Sequence, residues 1–290
     1  METFLSMKRI AITGAAGLVG TGLRAQLLQR GYRVLSLDIQ PIAQVAENEE
    51  AVVVDILDQA AMTEHLRGCD AVVHLAACTT DAPWPQQVRL SVEGSISVFD
   101  AARDAGVRRM VYASSHHVVG LHPRQPHGPR MGDTAILRPD SRYAVAKAFG
   151  ESLGALYAYK HGMQVLSIRI GNVNRRPIDR RRLGSWLSWR DLGQLVAIGI
   201  ENPAIGFDIV YGISDAEGRH YDNATAYALG YVPQDSSEGW DDEVLRDDPV
   251  PEPGSTAARA AAELTLGGQF SQSEYEGETN RLLPRARGAV

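Results

Sequence analysis

Near its N-terminus the chain reads Lys8-Arg9-Ile10-Ala11-Ile12-Thr13-Gly14-Ala15-Ala16-Gly17-Leu18-Val19-Gly20. An apolar run leads into glycines spaced Gly-x-x-Gly-x-x-Gly, and Leu18 to Arg30 continues with helical periodicity up to Gly31. The reading is a strand, a tight turn and a helix. Gly14, Gly17 and Gly20 fall where a turn and a close backbone approach exclude a Cβ, so that the helix N-terminus can face a pyrophosphate. The strand before and the helix after separate this pattern from a chance glycine triplet. Asp38 ends the next strand, Arg33 to Asp38, 18 residues past Gly20. A carboxylate there accepts hydrogen bonds from ribose hydroxyls and repels a 2′-phosphate, which favours NAD over NADP. Asp55 follows a third strand at Ala51 to Val54, placed either to reach the adenine or to stand solvated.

Further along, Asp58 caps a helix running to Arg67, and Ala71 to Leu75 and Val107 to Tyr112 are strands flanking a helix at Val88 to Ala105. Ser141 to His161 reads as a helix and Met163 to Ile170 as a strand. The strands are apolar throughout, as in a parallel sheet covered by helices on both faces. The expected fold class is α/β, a doubly wound Rossmann-type parallel sheet with a small C-terminal substrate-binding part. Residues 1–172 form the nucleotide-binding part with the catalytic residues, 173–270 the substrate-binding part that completes the same unit, and 271–290 a polar tail, disordered or docked. The second part holds an arginine-rich loop, a helix from Trp189 to Glu201 and a strand at Phe207 to Tyr211. It ends in a short helix near Ala224 and a proline-rich loop at Asp247 to Ser255. Ser188 and Asp191 resemble a capping box.

The 290 residues are 44% hydrophobic and 22% charged, which excludes a disordered, collagenous or coiled-coil chain. A net charge of −6 with a pI near 5.8 argues against a nucleic-acid partner. Two cysteines, Cys69 and Cys78, exclude a disulfide framework and a four-cysteine metal site, and no metal is expected. No apolar stretch approaches the ~20 residues that span a membrane. Met1 to Met7 lacks the pattern of a signal peptide, so the expected location is cytoplasmic.

Tyr143 and Lys147 lie four apart, on one face of their helix. A phenol ionises near 10, and a neighbouring ammonium with a positive nicotinamide favours the phenolate. With the dinucleotide signal upstream and Ser114-Ser115 at the end of a strand, the Tyr-x-x-x-Lys spacing marks a candidate base and its cation.

Taken in order, the glycine motif, Asp38, His74-Leu75-Ala76-Ala77, Ala113-Ser114-Ser115, Tyr143/Lys147 and Arg169-Ile170-Gly171-Asn172-Val173 resemble the extended short-chain dehydrogenase/reductases, the superfamily of epimerases and dehydratases. Within it, Gly68-Cys69-Asp70, Ser114-Ser115-His116-His117-Val118-Val119-Gly120, Phe149-Gly150-Glu151 and Leu183-Gly184-Ser185-Trp186-Leu187-Ser188 are most similar to the uronate dehydrogenases, with an echo at Gly267-Gly268-Gln269-Phe270. The resemblance implies NAD-dependent oxidation of a free hexuronate at C1 to an aldarolactone. Tyr143 would be the base, Lys147 would hold the nicotinamide ribose, and Ser115 would bind the reacting oxygen. It implies NAD contacts at Gly14, Ala16, Gly17, Leu18, Val19, Gly20, Asp38, Asp55, Ile56, Leu75, Ala76, Ala77, Tyr143 and Lys147. It implies sugar contacts at Thr79, Ser115, His116, His117, Tyr143 and Asn172, with Arg181 on the carboxylate. A homo-oligomer is also implied, with no interface identifiable from the sequence. His116 stands where those enzymes carry asparagine and Asn172 where they carry serine; Ser91 replaces an asparagine, and Arg142 stands where many epimerases have proline.

Independently of that resemblance, Arg175, Arg176, Arg180, Arg181 and Arg182 put five guanidiniums into eight positions. Such crowding points to an anionic partner, since a guanidinium fork matches a carboxylate; a phosphate-bearing substrate or a solvated basic loop would also satisfy it. Asp133 and Asp140 read as loop or cap residues, and Trp186 and Trp189 as packing. Two other functions remain open. A nucleotide-sugar 4-epimerase or related sugar oxidoreductase would need a larger C-terminal half than the 118 residues after Asn172. A non-catalytic NAD-binding sensor would have no need of the Tyr143/Lys147 pair.

Overall fold

The computed structural model describes residues 7–124, 127–216 and 218–283; the first six residues and the end of the expected tail, 284–290, lie outside them. Seven strands form one sheet: β1 (Arg9–Thr13), β2 (Arg33–Asp38), β3 (Glu49–Val53), β4 (Ala71–His74), β5 (Arg109–Ser115), β6 (Gln164–Ile170) and, after a separate pair β7 (Asn172–Val173) and β8 (Trp186–Leu187), β9 (Phe207–Gly212). The order is β3-β2-β1-β4-β5-β6-β9 and each adjacent pair is parallel. Strand order reverses between β1 and β4, the position where ligands of open α/β sheets bind. The expected doubly wound α/β architecture is therefore the one observed.

Alternation along the strands feeds two cores. Ile10, Ile12, Val34, Ala71 and Val73 pack with Leu23 and Leu27 of α1 (Leu18–Gln29). Ala11, Leu35, Leu37 and Val72 face the other side with Met62 and Leu66 of α2 (Gln59–Leu66). After a short α3 (Trp84–Gln87), that second core is continued by Val98 and Phe99 of α4 (Gly94–Asp104) and by Leu153 of α5 (Arg142–His161). With both sheet faces dry, each strand can be apolar at every position. A one-turn α6 (Arg180–Leu183) precedes α7 (Trp189–Glu201), whose Leu192, Leu195 and Val196 join the first core, so residues beyond 172 supply both a helix layer and the edge strand β9. Beyond β9 lie α8 (Ala224–Ala228), α9 (Asp241–Asp247), α10 (Ala261–Leu264) and α11 (Gln269–Gln272). Among the described residues no helix is long and apolar enough to cross a membrane.

Caps follow the sequence closely. Asp58 accepts from Ala61 N at 3.0 Å and Ser141 from Ala144 N at 3.1 Å. Some elements differ from expectation. β3 starts at Glu49 because that carboxylate is buried on Arg24 and the Ser36 hydroxyl, which a charged residue at a strand start does not advertise. The helix expected from Val88 begins at Trp84, with Pro85 in its first turn, and winds as a π-helix over Val88–Glu93. Half of the expected capping box forms: Ser188 Oγ accepts from Asp191 N at 3.1 Å, while the Asp191 carboxylate turns inward to Ser214 Oγ at 2.6 Å and Gln234 N at 2.7 Å. Part of the arginine-rich loop is helical, capped by Asp179. The described part of the polar tail is docked, with Leu282 buried and Glu274 2.6 Å from Arg142.

Candidate functional site

At the end of β1 the chain turns through Gly14, whose φ is +73° and whose added Cβ would lie 2.8 Å from Ala76 N. A Cβ at Gly20 would run into Gly14 O, so α1 packs directly on the turn. Gly17 N donates to Gly14 O at 3.2 Å. Gly17 is the N-cap of α1 and provides no side-chain cap, leaving the first-turn N–H groups available to an anion. Asp38 Oδ2 accepts from Ala16 N at 2.9 Å and Oδ1 from Gln40 N at 2.9 Å, which fixes the carboxylate over the glycine turn. This cradle fits a dinucleotide. Leu18 is exposed at the first helical position and Val19 is packed against the core. Asp55 Oδ1 accepts from Leu57 N at 3.0 Å and so shapes the turn into α2, with Ile56 packed on Gly94. After β4, Leu75 N donates to Thr13 O at 3.1 Å, and Ala76 and Ala77 follow half-buried. The buried His74 ring bridges Thr13 Oγ1 at 2.7 Å and Ser95 Oγ at 3.2 Å; burial lowers its pKa to about 3, so it is a neutral strut.

The next strand, β5, ends in Ser115, whose Oγ accepts from His117 N at 3.3 Å. Beside it α5 presents Tyr143 and Lys147 on one face. Lys147 Nζ donates to Ala113 O at 2.6 Å and sits 5.8 Å from the Tyr143 ring centroid. Burial pushes the Tyr143 phenol up to about 12, with the Ser115 hydroxyl acting in the opposite sense. Burial lowers the Lys147 ammonium to about 7. Each group is thus held against its charged form by desolvation, which a positive cofactor ring and a polar substrate oppose at the phenol. Behind them the buried Arg169 forks onto Glu151 at 2.8 and 2.9 Å, and Ser114 Oγ donates to Glu151 at 2.6 Å.

A cavity of about 460 Å³ adjoins this pair, lined by His117, Asn172, Arg181, Arg182, Gly268 and Phe270 among others. His117 joins the two: its ring lies 6.1 Å from Tyr143 and 4.6 Å, edge-on, from Phe270. Its Nδ1 is 2.6 Å from Asp140 Oδ2. The Asp140 side chain is completely buried, and a Cβ at either Gly120 or Gly267 would collide with its carboxylate. It was expected as a loop or cap residue; instead it orients a histidine of the cavity wall and accepts from Ser141 Oγ at 2.9 Å.

The arginine cluster is less free than its sequence suggests. Arg176 pairs with Glu243, Arg182 with Asp179, and Arg180 with both Asp248 and Glu263. Protein carboxylates therefore answer much of the charge that was expected to need a ligand. Two of the five, Arg175 and Arg181, pair with no carboxylate among the described residues, and of these Arg181 lines the cavity. Its guanidinium donates to Leu266 O at 3.3 Å, pairs with no described carboxylate and faces the cavity, and burial lowers its pKa. Arg175 is exposed in a separate groove with Trp186 and Trp189.

Other expected sugar contacts are distributed unevenly. Asn172 lines the cavity with its amide engaged at both ends, Nδ2 on Ser185 Oγ at 3.0 Å and Oδ1 accepting from Arg182 Nε at 2.9 Å. His116 is buried with Nδ1 2.8 Å from the Tyr221 hydroxyl and is not part of the cavity lining. Thr79 is exposed on the loop after β4 and lies outside that lining as well. Sequence reading misses Tyr221 and Glu263, reads Asp140 as a loop or cap residue, and quotes Phe270 only within a motif without giving it a role; the glycines Gly120 and Gly267 are the signal for Asp140.

A sequence model of the NAD dependent epimerase/dehydratase family matches residues 10–175. The uronate dehydrogenase of Pseudomonas putida is 39% identical over 243 residues, covering 81% of this chain and 87% of that protein. The NAD-dependent glucose-6-phosphate dehydrogenase of Haloferax volcanii is 35% identical over 247 residues, covering 79% and 94%. The crystal structure of a glucuronic acid dehydrogenase from Chromohalobacter salexigens superposes with a TM-score of 0.86 at 33% identity, covering 94% of this chain and 99% of the other.

Proposed function

The chain belongs to the NAD dependent epimerase/dehydratase family, and we propose that within it the protein oxidises a free hexuronate, such as galacturonate or glucuronate, at C1 to an aldarolactone. One observation carries this reading: Arg181, a guanidinium without a carboxylate partner among the described residues, faces a cavity whose wall at His117 packs against Tyr143. A sugar anchored there by a carboxylate at one end presents its other end to the phenol.

Bound NAD supplies the hydride acceptor. Tyr143, as phenolate, takes the proton of the C1 hydroxyl while the C1–H bond gives up its electron pair, so the hemiacetal carbon becomes a lactone carbonyl. The Ser115 hydroxyl donates to the same oxygen. Lys147 stabilises the phenolate electrostatically and is placed for the nicotinamide ribose. Gly14, Gly17 and Gly20 admit the pyrophosphate, and Asp38 receives the ribose hydroxyls and disfavours a 2′-phosphate. His117, oriented by Asp140, offers Nε2 to a sugar hydroxyl, and Asn172 braces Arg182 beside Arg181. In this scheme residues 1–172 serve the cofactor and the chemistry, and 173–270 supply the anion site.

Charge selects a carboxylate over a phosphate. Arg124, Arg180, Arg181 and Arg182 line the cavity with Asp179, Asp248 and Glu263, which leaves one unit of positive charge, matched to a monoanion. The test is reduction of NAD with galacturonate, glucuronate, the matching neutral aldoses and UDP-sugars. Turnover of free uronates alone is expected; epimerised UDP-sugar without net NADH would replace the reading with an epimerase.

A further inference from the structure

The cavity wall also contains a second anion-binding arrangement already filled by the protein. Arg180 holds Glu263 with two parallel bonds, NH1 to Oε1 at 3.0 Å and NH2 to Oε2 at 3.1 Å, and Arg124 NH2 donates to the same Oε1. Two guanidiniums converging on one acidic group is the geometry with which proteins bind phosphate. Here the acid is a side chain from α10, 139 residues from Arg124 and 83 from Arg180. All three line the cavity that contains Arg181 and His117. Asp248 also faces Arg180, 3.4 Å from its Nε, and Asp140 is taken up by His117.

We propose that Glu263 is a specificity-determining residue: by occupying the Arg124–Arg180 clamp it excludes dianionic sugars, the hexose 6-phosphates, and confines the site to monoanionic hexuronates. The inference rests on the proposed uronate oxidation and assigns the feature that sets its anion preference. Volume does not make the distinction, because about 460 Å³ lies well within the range that holds drug-sized ligands. Charge does. A phosphomonoester carries close to two negative charges at neutral pH, against a single uncompensated guanidinium. Neutralising Glu263 would leave Arg124 and Arg180 both available to phosphate oxygens and would remove a like charge from the same wall.

The experiment uses the full chain with Glu263→Gln, and Glu263→Asp as the charge-preserving control. Steady-state rates are measured with glucuronate and with glucose 6-phosphate, and inorganic phosphate is titrated as a competitive inhibitor and, by calorimetry, as a ligand. Removing one unit charge from the wall of the site corresponds, at an effective dielectric near 20, to roughly a 10- to 100-fold change in anion affinity. For Glu263→Gln the phosphate inhibition constant should fall by that factor, and the ratio of kcat/KM for glucose 6-phosphate over glucuronate should rise by a similar one; Glu263→Asp should keep the wild-type ratio. A folded Glu263→Gln protein with both quantities within about twofold of wild type overturns the proposal. If Glu263→Gln does not fold, Asp248→Asn removes the other carboxylate on Arg180 and must move both quantities in the same direction, or the proposal fails. Absence of wild-type turnover with any hexuronate would defeat the functional reading instead, and calorimetric phosphate binding would still decide the role of Glu263.

Discussion

Replacing Arg181 by alanine separates anion recognition from catalysis. In the structure this guanidinium has a single protein acceptor, Leu266 O at 3.3 Å, and its stem packs on Gly268. A carboxylate seated on its fork would gain two charge-assisted hydrogen bonds, each worth about 1.5–3 kcal/mol. Losing both costs about 3–6 kcal/mol of substrate interaction, or roughly 10²- to 10⁴-fold in kcat/KM at 1.4 kcal/mol per factor of ten. The packing loss falls on every substrate alike and cancels in a ratio. Arg182 cannot readily take over, because Asn172 and Asp179 already hold it. Rates of NADH formation with galacturonate and with galactose, each from wild type, Arg181→Ala and Arg181→Lys, give that ratio. The alanine variant should lose galacturonate activity by the stated factor while galactose changes less than about threefold. The lysine variant should fall between, since it keeps the charge and loses the fork. Equal losses on both sugars would refute the assignment of Arg181 to the carboxylate.

Three other perturbations test the remaining parts of the site. The phenol of Tyr143 is pushed up to about 12 by burial, and the base must be deprotonated, so the oxidation rate should climb as pH rises from neutral. Lys147→Ala removes the cation favouring the phenolate and should move that acid limb up by about one unit or more; a loss of equal factor at every pH would confine Lys147 to binding the cofactor. Asp38→Ala removes the carboxylate that faces the glycine turn at Ala16 N, 2.9 Å away. The preference for NAD over NADP should fall roughly 10- to 100-fold, and an unchanged ratio of their kcat/KM values would count against it. Glu151→Gln leaves the buried Arg169, held at 2.8 and 2.9 Å, without its counter-charge. Urea unfolding should register a loss of about 3–5 kcal/mol; a loss under 1 kcal/mol would show that the pair is not the internal brace of β5, β6 and α5.

The nucleotide end of the molecule was readable because its requirements are local. A turn that brings Gly14 against Ala76 leaves no room for a Cβ, and an i, i+4 pair on one helix face puts Lys147 beside Tyr143 whatever surrounds them. The substrate end is built otherwise. His117 owes its orientation to Asp140, 23 residues on, and Asp140 owes its space to the absence of side chains at Gly120 and Gly267. Phe270, which closes the aromatic wall on His117 and Tyr143, arrives from the end of the substrate-binding part, more than 120 residues beyond either partner. Asn172, expected on the sugar, spends both ends of its amide on Ser185 and Arg182.

The arginine cluster shows why counting residues in a window differs from counting charges in a site. Three of those five guanidiniums meet carboxylates, and Glu243, Asp248 and Glu263 come from a region whose acidic residues look like ordinary surface composition. A free cation is defined by the partner it lacks, and partners are assigned by tertiary packing. The charge of the proposed anion site is therefore a difference between groups far apart in the chain, Arg124 and the arginines at 180–182 against Asp179, Asp248 and Glu263. That charge can be altered without touching any arginine. Substitutions among those acids should change which anion is accepted, while Tyr143, Lys147 and the glycine turn continue to perform the same oxidation.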